Sequence, residues 1–240
     1  MRNTITFAGI NLSTAYGVYI SGRGAFNAPA RAVEKITVPG RNGEYANKNS
    51  KLQNIIVTYP AFIVSNFKSN IAALRDFLLS DAYYDYQTLY DTYNTGEYRR
   101  ALFAGPLDIE PTALLNAGNF ELSFDCLPQR WLTTGDAVQT FTTDGTITNP
   151  TRFDAKPLIR IYGKGQVKIR DTVIEVSANS PYVSVDIDCE TGLIMGGATN
   201  AARYVTVSGL DLPVLKYGSN AVKLYTGITK VEITPRWWTV

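Results

Sequence analysis

At 240 residues, with 45% aliphatic and aromatic side chains and 18% charged ones, the chain has enough apolar surface for one large globular domain or two ordinary ones and is not a disordered polypeptide. Its net charge of +2, from 23 Lys and Arg against 21 Asp and Glu, gives no argument for a nucleic-acid or membrane surface. The absence of histidine excludes Ser-His-Asp and Cys-His catalysis and removes the commonest zinc ligand.

In chain order, Thr4 to Leu12 and Tyr16 to Ile20 are short β-prone segments separated by Ser-Thr-Ala, the second broken at Gly22-Arg23-Gly24. Val33 to Val38 is a further strand, stopped by the turn Pro39-Gly40-Arg41-Asn42-Gly43, in which the glycines supply positive φ without steric cost. Leu52 to Tyr59 resumes strand character as far as Pro60. A helix over about 66–80 follows: Ser65 or Asn66 can cap it, and Phe67, Ile71, Leu74 and Leu78 form an apolar stripe, with Lys68, Arg75 and Asp76 off that stripe. Six tyrosines then crowd one segment, Tyr83, Tyr84, Tyr86, Tyr90, Tyr93 and Tyr98, around a hairpin tip at Asn94-Thr95-Gly96. An apolar ring with a polar end suits a subunit interface and equally suits cross-strand packing within one chain.

Phe120 to Leu132 has the strongest period-two signal. Phe120, Leu122, Phe124 and Cys126 fall on one face, Glu121, Ser123 and Asp125 on the other, and Pro128 is expected to end the strand. Thr133 to Arg152 is rich in Thr, Gly and Asp, so the expected layout is an N-terminal β domain with one helix over 1–135, a linker over 136–152 and a C-terminal domain over 153–240. In that second half Ile159 and Ile161, Val167 and Ile169, Ile174 and Val176, Val183 with Val185 and Ile187, Val205 and Val207, and Val222 and Leu224 lie on short alternating strands. Turn signals stand between them, among them Glu190-Thr191-Gly192 and Gly218-Ser219-Asn220. This is the pattern of a two-sheet sandwich or jelly roll, and the fold class is mainly β. Cys126 and Cys189, in different halves, read as small buried hydrophobes.

The remaining candidate chemistry is carboxylate chemistry. Asp186, Asp188 and Glu190 could bind calcium or supply a glycosidase pair, but they also occupy the polar phase of a strand entering a hairpin, where a solvated face is the simpler reading. Trp131, Trp237 and Trp238 offer aromatic platforms for a sugar ring or, more simply, core packing. Arg130 and Arg236 stand next to them and can stack on the indoles. No cofactor, metal or catalytic residue is expected, and no membrane insertion: nothing approaches the roughly 18 consecutive apolar residues of a spanning helix.

Taken in order, Val38-Pro39-Gly40-Arg41-Asn42-Gly43, Phe124 to Leu132 with Pro128, Arg130 and Trp131, Asn149-Pro150-Thr151 ahead of Pro157 to Gly163, the hairpin Asp188 to Leu193 with Gly192, Leu212-Pro213-Val214-Leu215, and the terminal Val231 to Trp238 with Pro235, Arg236, Trp237 and Trp238 resemble the distal tail protein family of long-tailed, non-contractile bacteriophages and prophages. The resemblance covers essentially the whole length. It implies a structural, non-enzymatic virion protein, assembled in the bacterial host cytoplasm and found at the tail tip. N-terminal domains would close a homohexameric ring around the channel through which DNA passes, and a C-terminal galectin-like sandwich would project outward. The implied partners are the tail tube protein, the tail-tip hub or tail-associated protein, the tape measure protein and receptor-binding proteins. Within this resemblance the tyrosines from Tyr83 to Tyr98 are the candidate subunit interface. The alternative function is a carbohydrate-binding sandwich that recognises host cell-wall polysaccharide.

Overall fold

The computed structural model describes residues 2–22, 24, 26–47, 51–64, 66–111 and 117–240. It divides into two compact units, with the boundary at Arg130/Trp131. The expected cap Ser65 and the loop residue Arg23 lie outside the described residues.

In the N-terminal unit the main sheet is built from β1 (Ile5–Phe7), β2 (Ile10–Asn11), β3 (Val18–Ile20), β6 (Ile55–Ile63), β7 (Gln87–Asp91), β8 (Glu97–Phe103) and β10 (Gly118–Leu132), in the order β2-β1-β7-β8-β10-β6-β3, with β9 (Ile109–Pro111) also on β10. Between β3 and β6 a separate hairpin of β4 (Glu34–Thr37) and β5 (Glu44–Asn47) stands apart from this sheet. The alternation read for β10 is present: Phe120, Leu122, Phe124 and Cys126 are buried, and Glu121, Ser123 and Asp125 are turned the other way. Phe124 is fully buried and lies against Phe7, Tyr59 and Phe103, with ring centroids 5.1, 6.2 and 5.6 Å away.

Two prolines expected to stop strands do not. Pro128 lies beyond Cys126, the last β10 residue in register with β6, so its missing N–H removes no bond from that ladder. Pro60 sits inside β6, opposite Glu121 of β10, and its carbonyl accepts from the Ser21 N–H at 2.8 Å just past the end of β3. In an antiparallel strand one residue's N–H and C=O point to the same side, so the missing donor of Pro60 faces the end of β3 and not the β10 ladder.

The helix α2 (Phe67–Leu78) buries Phe67, Ile71, Leu74, Phe77 and Leu78 against the sheet. Phe77 extends the expected stripe and touches Tyr83 edge-on, with centroids 4.6 Å apart. Asn66 stands at the helix start with φ 49° and makes no side-chain cap bond. The Ser-Thr-Ala separator is itself helical: α1 (Leu12–Tyr16) is capped by Asn11, whose side chain accepts from the Ser13 and Thr14 N–H groups.

The C-terminal unit is a sandwich. One sheet has the order β11 (Gln139–Phe141), β21 (Ile228–Thr234), β13 (Leu158–Gly163), β16 (Ser184–Asp188), β17 (Ile194–Gly196), β18 (Thr199–Asn200). The other runs β12 (Gly145–Asn149), β20 (Gly218–Leu224), β14 (Gly165–Ile169), β15 (Thr172–Val176), β19 (Val205–Val207). Ile159, Ile161, Val185, Ile187, Val231 and Ile233 from the first meet Ile147, Val167, Ile169, Ile174, Val176 and Val222 from the second in one core. Three expectations need correction. The 136–152 segment is not a linker, because β11 pairs with β21 and β12 with β20. Gly218-Ser219-Asn220 opens β20 instead of forming a turn. Val183 lies outside β16 and is 83% exposed.

Polarity inside the sandwich is fully matched at Asn149. Its Nδ2 donates to the carbonyls of Phe153 and Leu215 at 2.9 Å each, and its Oδ1 accepts from the N–H and hydroxyl of Thr151 at 2.9 Å. Cys126 and Cys189 are buried free thiols, and burial pushes each pKa up to about 12. Replacing Asn149 with Leu removes all four of these bonds and leaves the buried Thr151 N–H without its acceptor, and an expected loss of about 3 kcal/mol is measurable by urea unfolding against the wild type.

Candidate functional site

The turn Pro39 to Gly43 joins β4 to β5, with Gly40 and Gly43 at φ 79° and 84°. Ile36 stands opposite Tyr45, and the bridge Arg31–Leu52 closes the base of the arm. Residues directly across an antiparallel pair share a face. Ile36, Val38 and Tyr45 therefore lie on one side of the ribbon, while Lys35 and Glu44 form an ion pair of 3.1 Å on the other. Every described side chain of β4 is exposed, including Ile36 at 44%, and so is Tyr45 at 52%. This two-faced arm was not singled out from the sequence. The sequence marks Ile36 and Val38 as one phase of a strand, but not that Tyr45 joins them, which follows from the hairpin register.

The six tyrosines are dispersed by the fold. Tyr98 is buried against Tyr90 with centroids 5.1 Å apart, and Tyr83 packs on Phe77. Tyr86 accepts from Asn54 at 2.6 Å and donates to Asp125. Tyr93 is half-buried beside Gly24. Only Tyr84, at 80%, and Tyr90, at 36%, are exposed members of the group.

The two Pro-Arg-Trp stretches have different fates. Trp131 is buried, and Arg130 pairs with Glu97 at 3.7 Å. Trp237 is in the sandwich core, while Trp238 lies on Phe153 at 4.4 Å and donates its indole N–H to the Asp154 carbonyl. A sugar platform made of these indoles is therefore not what the fold builds. Within the C-terminal unit the Leu132 N–H donates to the Trp237 carbonyl at 2.9 Å and the Arg236 N–H to the Gly135 carbonyl at 2.8 Å. A Cβ on Gly135 would fall on the backbone nitrogen of Trp237. Only glycine fits there, a constraint the sequence reading missed.

The carboxylates are occupied by arginines. Asp186 takes Arg160 from the facing position of β13, through Nε at 2.5 Å and Nη2 at 2.7 Å. Asp188 holds Arg236 by two bonds of 2.7 and 3.1 Å and accepts the Glu190 and Thr191 N–H groups on Oδ1, closing the hairpin that turns at Gly192. Glu190 stands 3.7 Å from the same guanidinium. The acids keep the outward, partly solvated phase of β16 but are paired with arginines, and among the described residues Arg236 binds these carboxylates and stacks on no indole. Burial raises the Asp188 pKa, but Arg236 and the two N–H donors outweigh it and hold it down at about 2.

No protein-family model and no curated protein sequence matches the chain. Among solved structures it is similar to the SPP1 Dit protein (gp 19.1), described as a paradigm of the hub adsorption apparatus in phages that infect Gram-positive bacteria. That match covers 100% of both chains with a TM-score of 0.68 at 13% identity. The chain has the Dit fold. It is also similar to a chain of the phage p2 baseplate in its activated conformation with Sr, over 97% of this chain and 96% of that one, with a TM-score of 0.52 at 11% identity. Both units fall within the match, so the Dit fold accounts for the N-terminal sheet and for the sandwich.

Because the folded pKa of Asp188 lies below its unfolded value, its contribution is complete above about pH 4 and is lost as pH falls towards 2. Arg236→Gln should remove about 2 kcal/mol at neutral pH and flatten the acid limb of a stability profile between pH 4 and 2. Gly135→Ala should cost about 3 kcal/mol with no such change in pH dependence; both are read by urea unfolding across that range.

Proposed function

We propose that the protein is a distal tail hub, a structural component of a phage or prophage tail tip that works by assembly and not by turnover. The observation that carries this reading is the full-length match to SPP1 Dit, a hub protein, at a TM-score of 0.68. The similarity to a phage p2 baseplate chain supports the same role. In this reading the N-terminal units of six copies close a ring by head-to-tail contacts, which form a closed set when the rotation between neighbours divides a full turn. The tail tube protein stacks on one face and the tail-tip hub or tail-associated protein on the other, next to the tape measure protein. The sandwich units carry receptor-binding proteins, and the particle is completed in the host cytoplasm. A net charge of +2 is compatible with a channel that DNA crosses without adhering.

The exposed apolar face of the β4–β5 arm supports an assembly role, with Ile36, Val38 and Tyr45 placed to pack on a neighbouring copy and Tyr84 and Tyr90 as further contacts. Light scattering with negative-stain imaging, on the chain alone and with its tail-tube partner, tests this: a six-fold ring with a central hole is expected, and a monomer under both conditions would refute it. Ile36→Asp, on an exposed strand, should weaken ring assembly by at least about tenfold with an unchanged thermal midpoint. Retained rings at equal concentration would remove the arm from the interface.

A further inference from the structure

Two pairs in the sequence set an Asn or Asp directly before a glycine: Asn42-Gly43 at the tip of the β4–β5 arm, and Asp144-Gly145 at the start of β12. In an Asn-Gly pair the glycine nitrogen can reach the asparagine side-chain carbon through a five-membered ring, and glycine has no Cβ to crowd that approach. The freedom that the fold leaves to the pair decides whether it reacts.

At the arm tip nothing restrains it. Asn42 and Gly43 are exposed and lie outside both strands, beyond the last pair of the hairpin, Thr37 with Glu44. The bond that closes the turn runs from the Arg41 N–H to the Val38 carbonyl at 3.2 Å, and among the described residues neither the Gly43 N–H nor the Asn42 amide has a hydrogen-bond partner. Gly43 has φ 84° and open space where a Cβ would stand.

Comparable pairs in the sandwich are held. Asp144 accepts the Leu224 N–H on Oδ1 at 2.9 Å, and Gly145 stands opposite Val222, with the Phe141 ring 2.7 Å from the place of a Cβ. Asn179 precedes Ser180, a buried residue whose N–H donates to the Ser177 carbonyl at 3.0 Å. Ring closure at either place would first break those bonds. At Asn42 nothing has to break.

We propose that Asn42-Gly43 is a site of spontaneous deamidation, through which the arm tip acquires a negative charge without an enzyme. The Gly43 nitrogen loses its proton to solvent base and attacks Asn42 Cγ, while Nδ2 takes up a proton and leaves as ammonia. The two residues are then joined as a succinimide. Water opens that ring at one of its two carbonyls, giving aspartate or an isoaspartate whose main chain runs through Cβ and Cγ. One new carboxylate next to Arg41 takes the net charge from +2 to +1. The isoaspartate also lengthens the turn that sets Ile36 opposite Tyr45. The reaction needs no partner and is independent of ring assembly.

The test is a time course of the full chain, folded and in urea, in alkaline and in weakly acidic buffer, read by peptide mapping with mass spectrometry and by cation exchange. Asn42→Asp supplies the elution standard for the charged product, and Asn42→Gln has a side chain too long for the five-membered ring. Asn42 is exposed, so neither variant should shift the thermal midpoint. In the folded chain Asn42 should convert at least about ten times as fast as Asn179, and within about threefold of its own rate in urea. Alkali should speed the reaction, because the attacking nitrogen must lose its proton, and Asn42→Gln should remove the acidic peak. A larger fall in the Asn42 rate on folding would overturn the proposal. So would conversion of Asn179 ahead of Asn42, or an acidic peak that persists in Asn42→Gln.

Discussion

The N-terminal unit depends on the register of β10. From Gly118 to Gln129 it alternates so strictly that a slip of one position against β6 would send Glu121, Ser123 and Asp125 into the core and Phe120, Leu122 and Phe124 out of it. The aromatic contacts of Phe124 with Phe7, Tyr59 and Phe103 exist only in the observed register. They bring together rings from parts of the sequence more than a hundred residues apart. The position of α2 follows from the same constraint, since Phe77 touches Phe7, which touches Phe124.

The sandwich is held by a different principle. Its strands are short, and individually each buries little, so its turns and ends are fastened by polar side chains with complete sets of partners. Asn149 fixes the stretch after β12, Asn220 bonds to the carbonyls of Ile147, Lys216 and Gly218, and Asp188 closes the β16–β17 turn while gripping Arg236. Arg236 has φ 59°, an unusual backbone for a residue with a side chain. The bidentate pair and the bond to the Gly135 carbonyl hold it there. The same acidic pattern that suggests catalysis when seen as letters is here a fastening.

Strand existence and phase were legible where one face meets a core: β10, the α2 stripe and most sandwich strands alternate in the sequence as they do in the fold. Three kinds of feature were not legible. Pro60 and Pro128 looked like strand ends because a proline's cost depends on which side its missing N–H faces, and that is a property of the neighbouring strands. Residues 136–152 looked like a linker because β11 and β12 are short and carry few apolar side chains, Phe141 and Ile147 among them; their pairing partners arrive from about 70 to 90 residues later. The tyrosine cluster read equally as a subunit interface and as cross-strand packing within one chain, and strand alternation and the hairpin tip send its members to different surroundings, leaving Tyr84 and Tyr90 exposed. The arm face of Ile36 and Tyr45 required knowing which residues stand opposite each other, which only the hairpin register supplies.

Both thiols of the chain are buried and unpaired, and the attacking species in thiol oxidation is the thiolate. With each pKa pushed up to about 12, almost none of that species exists at neutral pH, and none of it is accessible. The fold therefore needs no disulfide to form, and neither cysteine offers an exposed thiolate for an oxidant to attack.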